Sequence, residues 1–494
     1  MKSIKNTVAG LLAVLLMAQA GCKQEFLDIN NNPNQVTAAT PELVLPNALA
    51  NTGAYMTTSF YFLNLWMGYW NWSGNYSINL SDKNYQFTNS FNQGIWTNGY
   101  VNLKNYNYID QQGATLNQPL LQGMGKIMKA YHFQILVDTY GDIPYTQALQ
   151  GTTAITPTYD KAQDIYDDLI KQIDAGLALL AKGAGTRNPG TNDIMFGGDI
   201  AKWQRFANTL KLRILLRQTE KTDRAAYLQT QFATIKSSGY GFLGAGENAQ
   251  VNPGYVNSQN QQNPLYGAFY AVNGSPTTTN NQYKANGYAL SVLKQTNDPR
   301  IGAYYRPVGG TGTNFNGTYF GTIDVLVNSL VSDIGPGVLT GVDKPAVIMS
   351  SHESLFMQAE AAQRGLITGT PKALYQAAVT ESFINAGRTA TEATTYLAQK
   401  GVANVDFDAS TNKIATIITQ KWISENGLAP FEAWADYRRL GLPTDIPISQ
   451  EPSTSVKQIP VRLFYPQTEF STNATVVNAQ GTINQFTSKI FWIK

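Results

Sequence analysis

The sequence predicts an all-α fold that is interrupted by a loop-rich insertion with little strand. Apolar residues recur at helical spacing in segments that come in adjacent pairs of similar size. Residues 241–346 are instead rich in Gly, Asn, Gln, Thr and Tyr, with short helical or strand-like pieces at most. We therefore expect one domain over 41–494, with a helical scaffold at about 41–240 and 347–494 and the insertion between the two parts.

The first residues carry a targeting signal. Lys2 and Lys5 precede an apolar run over residues 8–18, which is too short to span a bilayer. The run therefore indicates a secretory signal peptide over residues 1–21.

The only cysteine of the chain follows this signal. Cys22 comes directly after Ala20 and Gly21, and small residues fit the pocket of a signal peptidase, so the pattern resembles a bacterial lipobox. Gln19 stands where such motifs usually have an aliphatic residue. We expect Cys22 to be the acylated mature N-terminus; the alternative is an ordinary cleaved signal followed by an accidental cysteine.

A polar segment separates this cysteine from the first helix. Residues 22–40 lack apolar periodicity and contain several Asn residues and a proline, so we expect a lipidated flexible tether. An apolar, aromatic helix is then predicted from about 41 to 70.

Four pairs of helices follow. In one helix Ile165, Leu169, Ile173 and Leu177 recur at four-residue steps, which places them on one face. Four helix hairpins of similar size suggest tetratricopeptide-like units, in which each pair buries its apolar face against the next. The predicted pairs are 117–138 with 159–181, 199–219 with 224–237, 350–365 with 372–386, and 411–426 with 430–440.

Composition excludes several classes of function. Lys and Arg number 36 against 33 Asp and Glu, and only 14% of residues are charged, so nucleic acid is not an expected partner. One cysteine and two histidines, His132 and His352, exclude cysteine-cluster and histidine-rich metal sites. No nucleotide-binding motif is present, so no cofactor is predicted, and calcium stays open.

Aromatic side chains are the candidate binding groups, because their planes stack on the apolar faces of sugar rings. Trp70, Trp72 and Tyr76 lie near the expected end of the first helix among small polar residues, where we expect exposure. Tyrosines interleaved with amides and glycines make the insertion the expected place for the rest of the pocket. The candidates there are Tyr266, Tyr270, Tyr283, Tyr304 and Tyr305.

Five phrases stand out in order along the chain. The most specific is Asp138–Tyr145, which reads DTYGDIPY. The others are FLDIN followed by NPN in residues 26–34, the helix phrase AEAA within 353–364, QKW followed by FEAWADYRRLG in 420–441, and IPVRLFYP in 459–466. Together the five phrases resemble the signature segments of the SusD/RagB family of surface lipoproteins.

The resemblance implies a SusD-like fold, mostly helical, on four tetratricopeptide-like hairpins. It also implies a protein anchored in the outer membrane through its lipid and facing the cell exterior. Such a protein would bind an oligosaccharide or polysaccharide, or alternatively a peptide. It would deliver that ligand to a TonB-dependent, SusC-like transporter, over which it acts as a lid, and it would not be an enzyme.

Two other classes of function stay open on sequence alone. Asp138 with Asp142, and Glu432 with Asp436, could be paired carboxylates of a glycosidase. The structural interpretation is that arginines pair with these acids, with Arg438, Arg439 and Arg462 as the expected partners. A helical stack could also be a protein-binding adapter without a nutrient ligand.

Overall fold

The computed structural model describes residues 39–494 of the 494-residue chain. The predictions for the signal peptide, for Cys22 and for nearly all of the tether lie outside the described residues. The structure is 51% helix and 5% strand, so the predicted all-α class is confirmed. No helix within residues 39–494 is both long enough and apolar enough to cross a membrane.

The N-terminal helix is shorter than predicted. Helix α1 spans Pro41–Thr58, a short helix α2 spans Tyr61–Trp66, and the chain then enters strand β1, Trp70–Trp72. The prediction of one helix to residue 70 is therefore wrong at its end. Gly68 has φ +71°, a left-handed conformation that redirects the chain from helix to strand, and a Cβ there would lie 2.8 Å from the Tyr288 ring.

The next helices include one that the apolar pattern missed. Helix α3 is Leu80–Lys83 and helix α4 is Gly94–Thr115, which packs against α1 and the following helix. Several residues on the buried face of α4 are small or polar, among them Asn102, whose Nδ2 donates to the Ala48 carbonyl at 3.0 Å. Because such residues interrupt the apolar positions of that face, periodicity alone does not reveal the helix.

The four predicted hairpins are present, with bounds within a few residues of those expected. The first consists of α5, Pro119–Tyr140, and α6, Ala162–Lys182, with the short paired strands β2, Ile143–Pro144, and β3, Tyr159–Asp160, between them. The second is α7, Ile200–Arg217, with α8, Ala225–Ser238.

The insertion contains short elements, as expected. In chain order these are β4, Ala249–Val251; α9, Pro264–Phe269; α10, Thr278–Gln282; β5, Tyr283–Ala285; α11, Gly287–Gln295; α12, Ile301–Tyr304; and β6, Ala346–Met349. Strand β5 pairs antiparallel with β1, and β6 pairs antiparallel with β4. The β1–β5 pairing joins the insertion to the N-terminal part of the scaffold. The β4–β6 pairing joins the beginning of the insertion to its end.

The remaining hairpins complete the chain. The third is α13, Ser351–Gln363, with α14, Pro371–Asn385, followed by α15, Ala390–Leu397. The fourth is α16, Lys413–Ser424, with α17, Pro430–Leu440, and two short helices follow, α18, Gln467–Thr472, and α19, Ala474–Asn478. A large apolar core runs through the scaffold and the insertion, and a smaller cluster lies mainly among α13 to α16.

Candidate functional site

Strand pairing brings together two aromatic segments that are far apart in sequence. In the β1–β5 ladder Trp72 lies opposite Tyr283 and Trp70 lies opposite Ala285. Residues directly opposite each other in an antiparallel pair have their side chains on the same face. The ladder therefore places one predicted tryptophan beside one predicted tyrosine, with ring centroids 6.4 Å apart.

These two side chains line a cleft of about 240 Å³, which we call the aromatic cleft. Its walls are mostly aromatic rings, and the ring centroids of Phe320 and Trp72 lie 5.6 Å apart. Its polar groups come from α1, α3, α10 and the adjoining turns. The lining residues are Thr58, Ser59, Tyr61, Phe62, Leu65, Trp66, Trp72, Asp82, Phe91, Asn92, Gln282, Tyr283 and Phe320.

Asp82 gives the aromatic cleft an acceptor without a partner. Within residues 39–494 its carboxyl group makes neither a hydrogen bond nor an ion pair, and partial burial raises its pKa above the ordinary value. Burial also raises the pKa of Tyr283 to about 12, so its hydroxyl keeps its proton at neutral pH. The cleft thus combines aromatic planes, amide groups, hydroxyl groups and one free carboxylate.

The structure buries both tryptophans that were expected to be exposed. Trp70 has no exposed surface and packs against the rings of Tyr61, Phe269 and Tyr283. Trp72 is 8% exposed and lies in the wall of the aromatic cleft. The expected exposure is wrong because both residues belong to a strand that the insertion covers, and not to a free helix end.

Two of the insertion tyrosines are also core residues. Tyr304 and Tyr305 are fully buried, in contrast to the expectation that they would line a pocket. The Tyr305 hydroxyl donates to the Tyr69 carbonyl at 2.7 Å and accepts from Asn426 Nδ2 at 2.8 Å. These bonds fix the insertion to the scaffold, which explains the burial.

The other candidates are half-buried and lie outside the lining of the aromatic cleft. The rings of Tyr266 and Tyr270 are 5.2 Å apart and pack against each other, and Tyr76 follows the turn after β1. Sequence reasoning missed Asp82 and Phe320, although Phe320 adjoins a tyrosine of the insertion. Asp82 gave no signal, because a single acid on a four-residue helix is typical of surfaces.

The carboxylates considered for catalysis are held by cations or by protein donors. Arg213 Nη1 lies 3.2 Å from Glu432 Oε1, and Arg217 Nη2 also pairs with Glu432. Burial alone would raise the pKa of Glu432, but these two guanidinium groups hold it below the ordinary value. Asp436 pairs with Lys421 at 2.7 Å and with Arg439 at 2.8 Å.

The expected arginine partners are correct only in part. Arg439 pairs with Asp436 as predicted, whereas Arg438 donates to the carbonyl groups of Asp138 and Val461. Arg462 donates to the Tyr140 carbonyl. Two of the three arginines thus stabilise backbone at the end of α5, where free carbonyl groups need donors.

The other acidic pair is also engaged. Asp138 accepts from Gln134 Nε2 and from Trp492 Nε1, both at 2.8 Å, and Asp142 accepts from the Ala162 amide at 2.8 Å. Among residues 39–494 no group of three or more His, Cys, Asp or Glu side chains is placed to hold a metal ion.

The fold and the site define a helical protein built on stacked hairpins, with a ring-lined cleft where the insertion pairs with the scaffold. The chain belongs to the SusD-like family: the family model described as starch-binding and associating with the outer membrane matches residues 33–466. Members of this family are binding proteins of the outer-membrane surface. A comparison with curated proteins finds no match.

Solved structures of similar fold include several SusD homologues. A chitin-binding SusD homologue from Flavobacterium johnsoniae has 22% identity and a TM-score of 0.75, covering 91% of this chain and 98% of its own. A SusD homologue from Bacteroides uniformis has 22% identity and a TM-score of 0.76, covering 92% and 100%. A SusD/RagB family protein from Bacteroides thetaiotaomicron has 21% identity and a TM-score of 0.73, covering 92% and 99%.

Proposed function

We propose that the chain captures an oligosaccharide in the aromatic cleft at the cell surface and delivers it to a TonB-dependent, SusC-like transporter. The observation that carries this proposal is the Trp72, Tyr283 and Phe320 wall beside the unpartnered carboxylate of Asp82. A relative of the same fold is described as chitin-binding, which supports a glycan as the ligand.

The chemistry of the aromatic cleft suits an uncharged sugar. Aromatic planes take up the C–H faces of the ring, and the excluded water favours association. Sugar hydroxyl groups donate to Asp82 and exchange hydrogen bonds with Tyr283 and with the amides of Asn92 and Gln282. A hydrogen bond to a charged acceptor contributes about 1.5–3 kcal/mol, so Asp82 is the residue expected to contribute most among the polar groups.

Replacing Asp82 with Asn is expected to weaken oligosaccharide binding about tenfold or more, since 1.4 kcal/mol corresponds to a tenfold change in affinity. Asn keeps the shape of the side chain and removes its charge. Titration calorimetry with chitohexaose and maltohexaose, and with a short peptide as a second ligand class, measures the effect. Tyr283→Phe, which removes one hydroxyl group, should weaken binding of the same sugar less.

The matched control is Asp223→Asn. Asp223 is an exposed acid at the turn before α8, outside the residues that line the aromatic cleft, and this variant should bind as tightly as the wild type. Unchanged sugar affinity in Asp82→Asn, with melting temperatures equal in all variants, would remove Asp82 from the site. If the peptide binds and neither sugar does, the ligand is a peptide, which is the alternative ligand class.

The proposed partner is a large barrel transporter over which this protein closes as a lid. Affinity capture of a tagged, full-length chain from detergent-solubilised outer membranes should recover a TonB-dependent barrel protein in stoichiometric amount. Repeated recovery of the tagged chain alone would contradict the proposed partnership, whatever the outcome for the sugar.

The proposed anchor is a lipid on Cys22, which would hold the protein on the outer face of the outer membrane. Stable anchoring requires more than one acyl chain, and a lipidated N-terminal cysteine provides that. Cys22→Ala is therefore expected to move the protein from the membrane fraction to the soluble fraction with an unchanged melting temperature. If the Cys22→Ala variant still sediments with outer membranes from cells that lack the transporter, lipid anchoring is contradicted.

A further inference from the structure

A second cavity, separate from the aromatic cleft, lies between α1, the β4–β6 ladder and the first turns of α13 and α17. Its volume is about 270 Å³, and we call it the central cavity. Much of its wall is apolar, contributed by Met56, Phe60, Leu265, Val338, Leu428 and Phe431. The ring centroids of Phe60 and Phe431 lie 4.8 Å apart.

His352 lines this cavity and is 1% exposed. Its ring orientation follows from a chain of hydrogen bonds that begins at a backbone donor. The Ser351 amide donates to Asn248 Oδ1 at 2.8 Å, so Asn248 Nδ2 is the group that donates to Asn385 Oδ1 at 3.1 Å. Asn385 Nδ2 therefore faces His352 Nδ1 at 3.0 Å and donates to it.

This arrangement assigns the proton of the ring. Because Nδ1 accepts a hydrogen bond, the neutral imidazole carries its hydrogen on Nε2. Burial, with Arg300 and Lys421 nearby, lowers the pKa of His352 to about 3, so the ring is neutral at physiological pH. Within residues 39–494 the Nε2 atom has no hydrogen-bond partner. A buried donor that lacks an acceptor is unfavourable, and a ligand that supplies an acceptor would remove that cost.

The charges around the central cavity favour an uncharged ligand. Two cations line the cavity: Lys344, whose side chain is 55% exposed, and the buried Arg213, whose Nη1 bridges the carboxylates of Glu353, at 3.1 Å, and Glu432, at 3.2 Å. A ligand anion would approach both carboxylates, and a ligand cation would approach Arg213. At the buried end of the cavity, where Arg213 and the two carboxylates already compensate one another, removing either ion from water is costly. The acceptor that His352 Nε2 lacks is therefore expected to be a neutral group.

We propose that the central cavity is a second binding site, which takes an uncharged small molecule with a carbonyl oxygen next to an apolar body. The carbonyl oxygen accepts the hydrogen bond of His352 Nε2, and the apolar body lies against Phe60, Phe431 and Val338. This site is independent of the aromatic cleft, with which it shares no lining residue.

The test uses N-acetyl-L-leucinamide as the neutral probe and N-acetyl-L-leucine as its anionic counterpart, titrated into the full chain by calorimetry. The neutral probe should bind with one-to-one stoichiometry and at least tenfold more tightly than the carboxylate. Ala429→Leu, a change at a half-buried lining residue, should abolish binding by filling the cavity. Ala226→Leu, on the exposed surface of α8, should have no effect.

His352→Phe keeps a ring of similar size and removes the donor, so binding of the neutral probe should weaken about tenfold. Should this variant not fold, Ala429→Leu still tests the site. Lack of binding by the wild type, equal binding of the two probes, or unchanged binding in Ala429→Leu would overturn the proposal. So would a crystal soaked with the probe that shows only water in the cavity. Oligosaccharide affinity should be unchanged in Ala429→Leu, which separates this site from the aromatic cleft.

Discussion

Replacing Glu432 with Gln is expected to lower the free energy of unfolding by about 3–5 kcal/mol, because removal of one member of a buried ion network leaves opposite charges uncompensated. Glu432 is 2% exposed and accepts from both Arg213 and Arg217. Gln keeps the size of the side chain, so the loss of free energy of unfolding measures the effect of removing the negative charge. Urea denaturation at neutral pH measures it as a shift in the midpoint at unchanged slope.

The control for this variant is an exposed ion pair. Lys372 Nζ lies 2.6 Å from Asp408 Oδ2, and both side chains are about half exposed. Asp408→Asn should therefore cost only about 0–1 kcal/mol. Equal and small effects of both substitutions would show that the Arg213 and Arg217 charges are balanced without Glu432, and would contradict the structural role assigned to it.

Replacing Trp434 with Ala is expected to destabilise the protein by about 3–5 kcal/mol, as for other buried tryptophans. Trp434 has no exposed surface, and its Nε1 donates to the Pro460 carbonyl at 2.8 Å. The Arg438 guanidinium stacks over its ring at 3.4 Å, and Trp66 contacts it from α2. The truncation would remove apolar contacts, a hydrogen bond and the support of Arg438 together.

Melting temperature and sugar affinity should be measured on the same preparation of this variant. We expect a lower melting temperature and, for the fraction that stays folded, unchanged affinity. An unchanged melting temperature with reduced affinity would place α17 in the binding site instead. Leu330→Ala, at an exposed apolar residue of the insertion, is the control and should change neither quantity measurably.

The hairpin scaffold was predictable because its helices are long and their buried faces are apolar. In α6, Ile165, Leu169 and Ile173 are all buried, as their four-residue spacing predicts. Helix α4 was missed because Gly99, Asn102 and Asp110 interrupt the apolar residues on its buried side. Periodicity detects a buried face only where that face is apolar.

The aromatic cleft was only partly predictable because it is made by pairing across the chain. Trp72 and Tyr283 were both candidates, but their proximity depends on the β1–β5 register, which involves only three residue pairs. Local sequence around so short a strand does not distinguish it from the end of a helix. The same pairing buries Trp70, which belongs to the same local pattern as Trp72.

The measurement that tests the central claim most directly is a crystal structure of the chain with a bound oligosaccharide. The proposed function predicts a sugar ring in the aromatic cleft, in contact with Trp72 and Tyr283, with a hydroxyl group within hydrogen-bonding distance of the Asp82 carboxylate. A sugar bound with full occupancy elsewhere on the chain, with the aromatic cleft free of ligand, would contradict it.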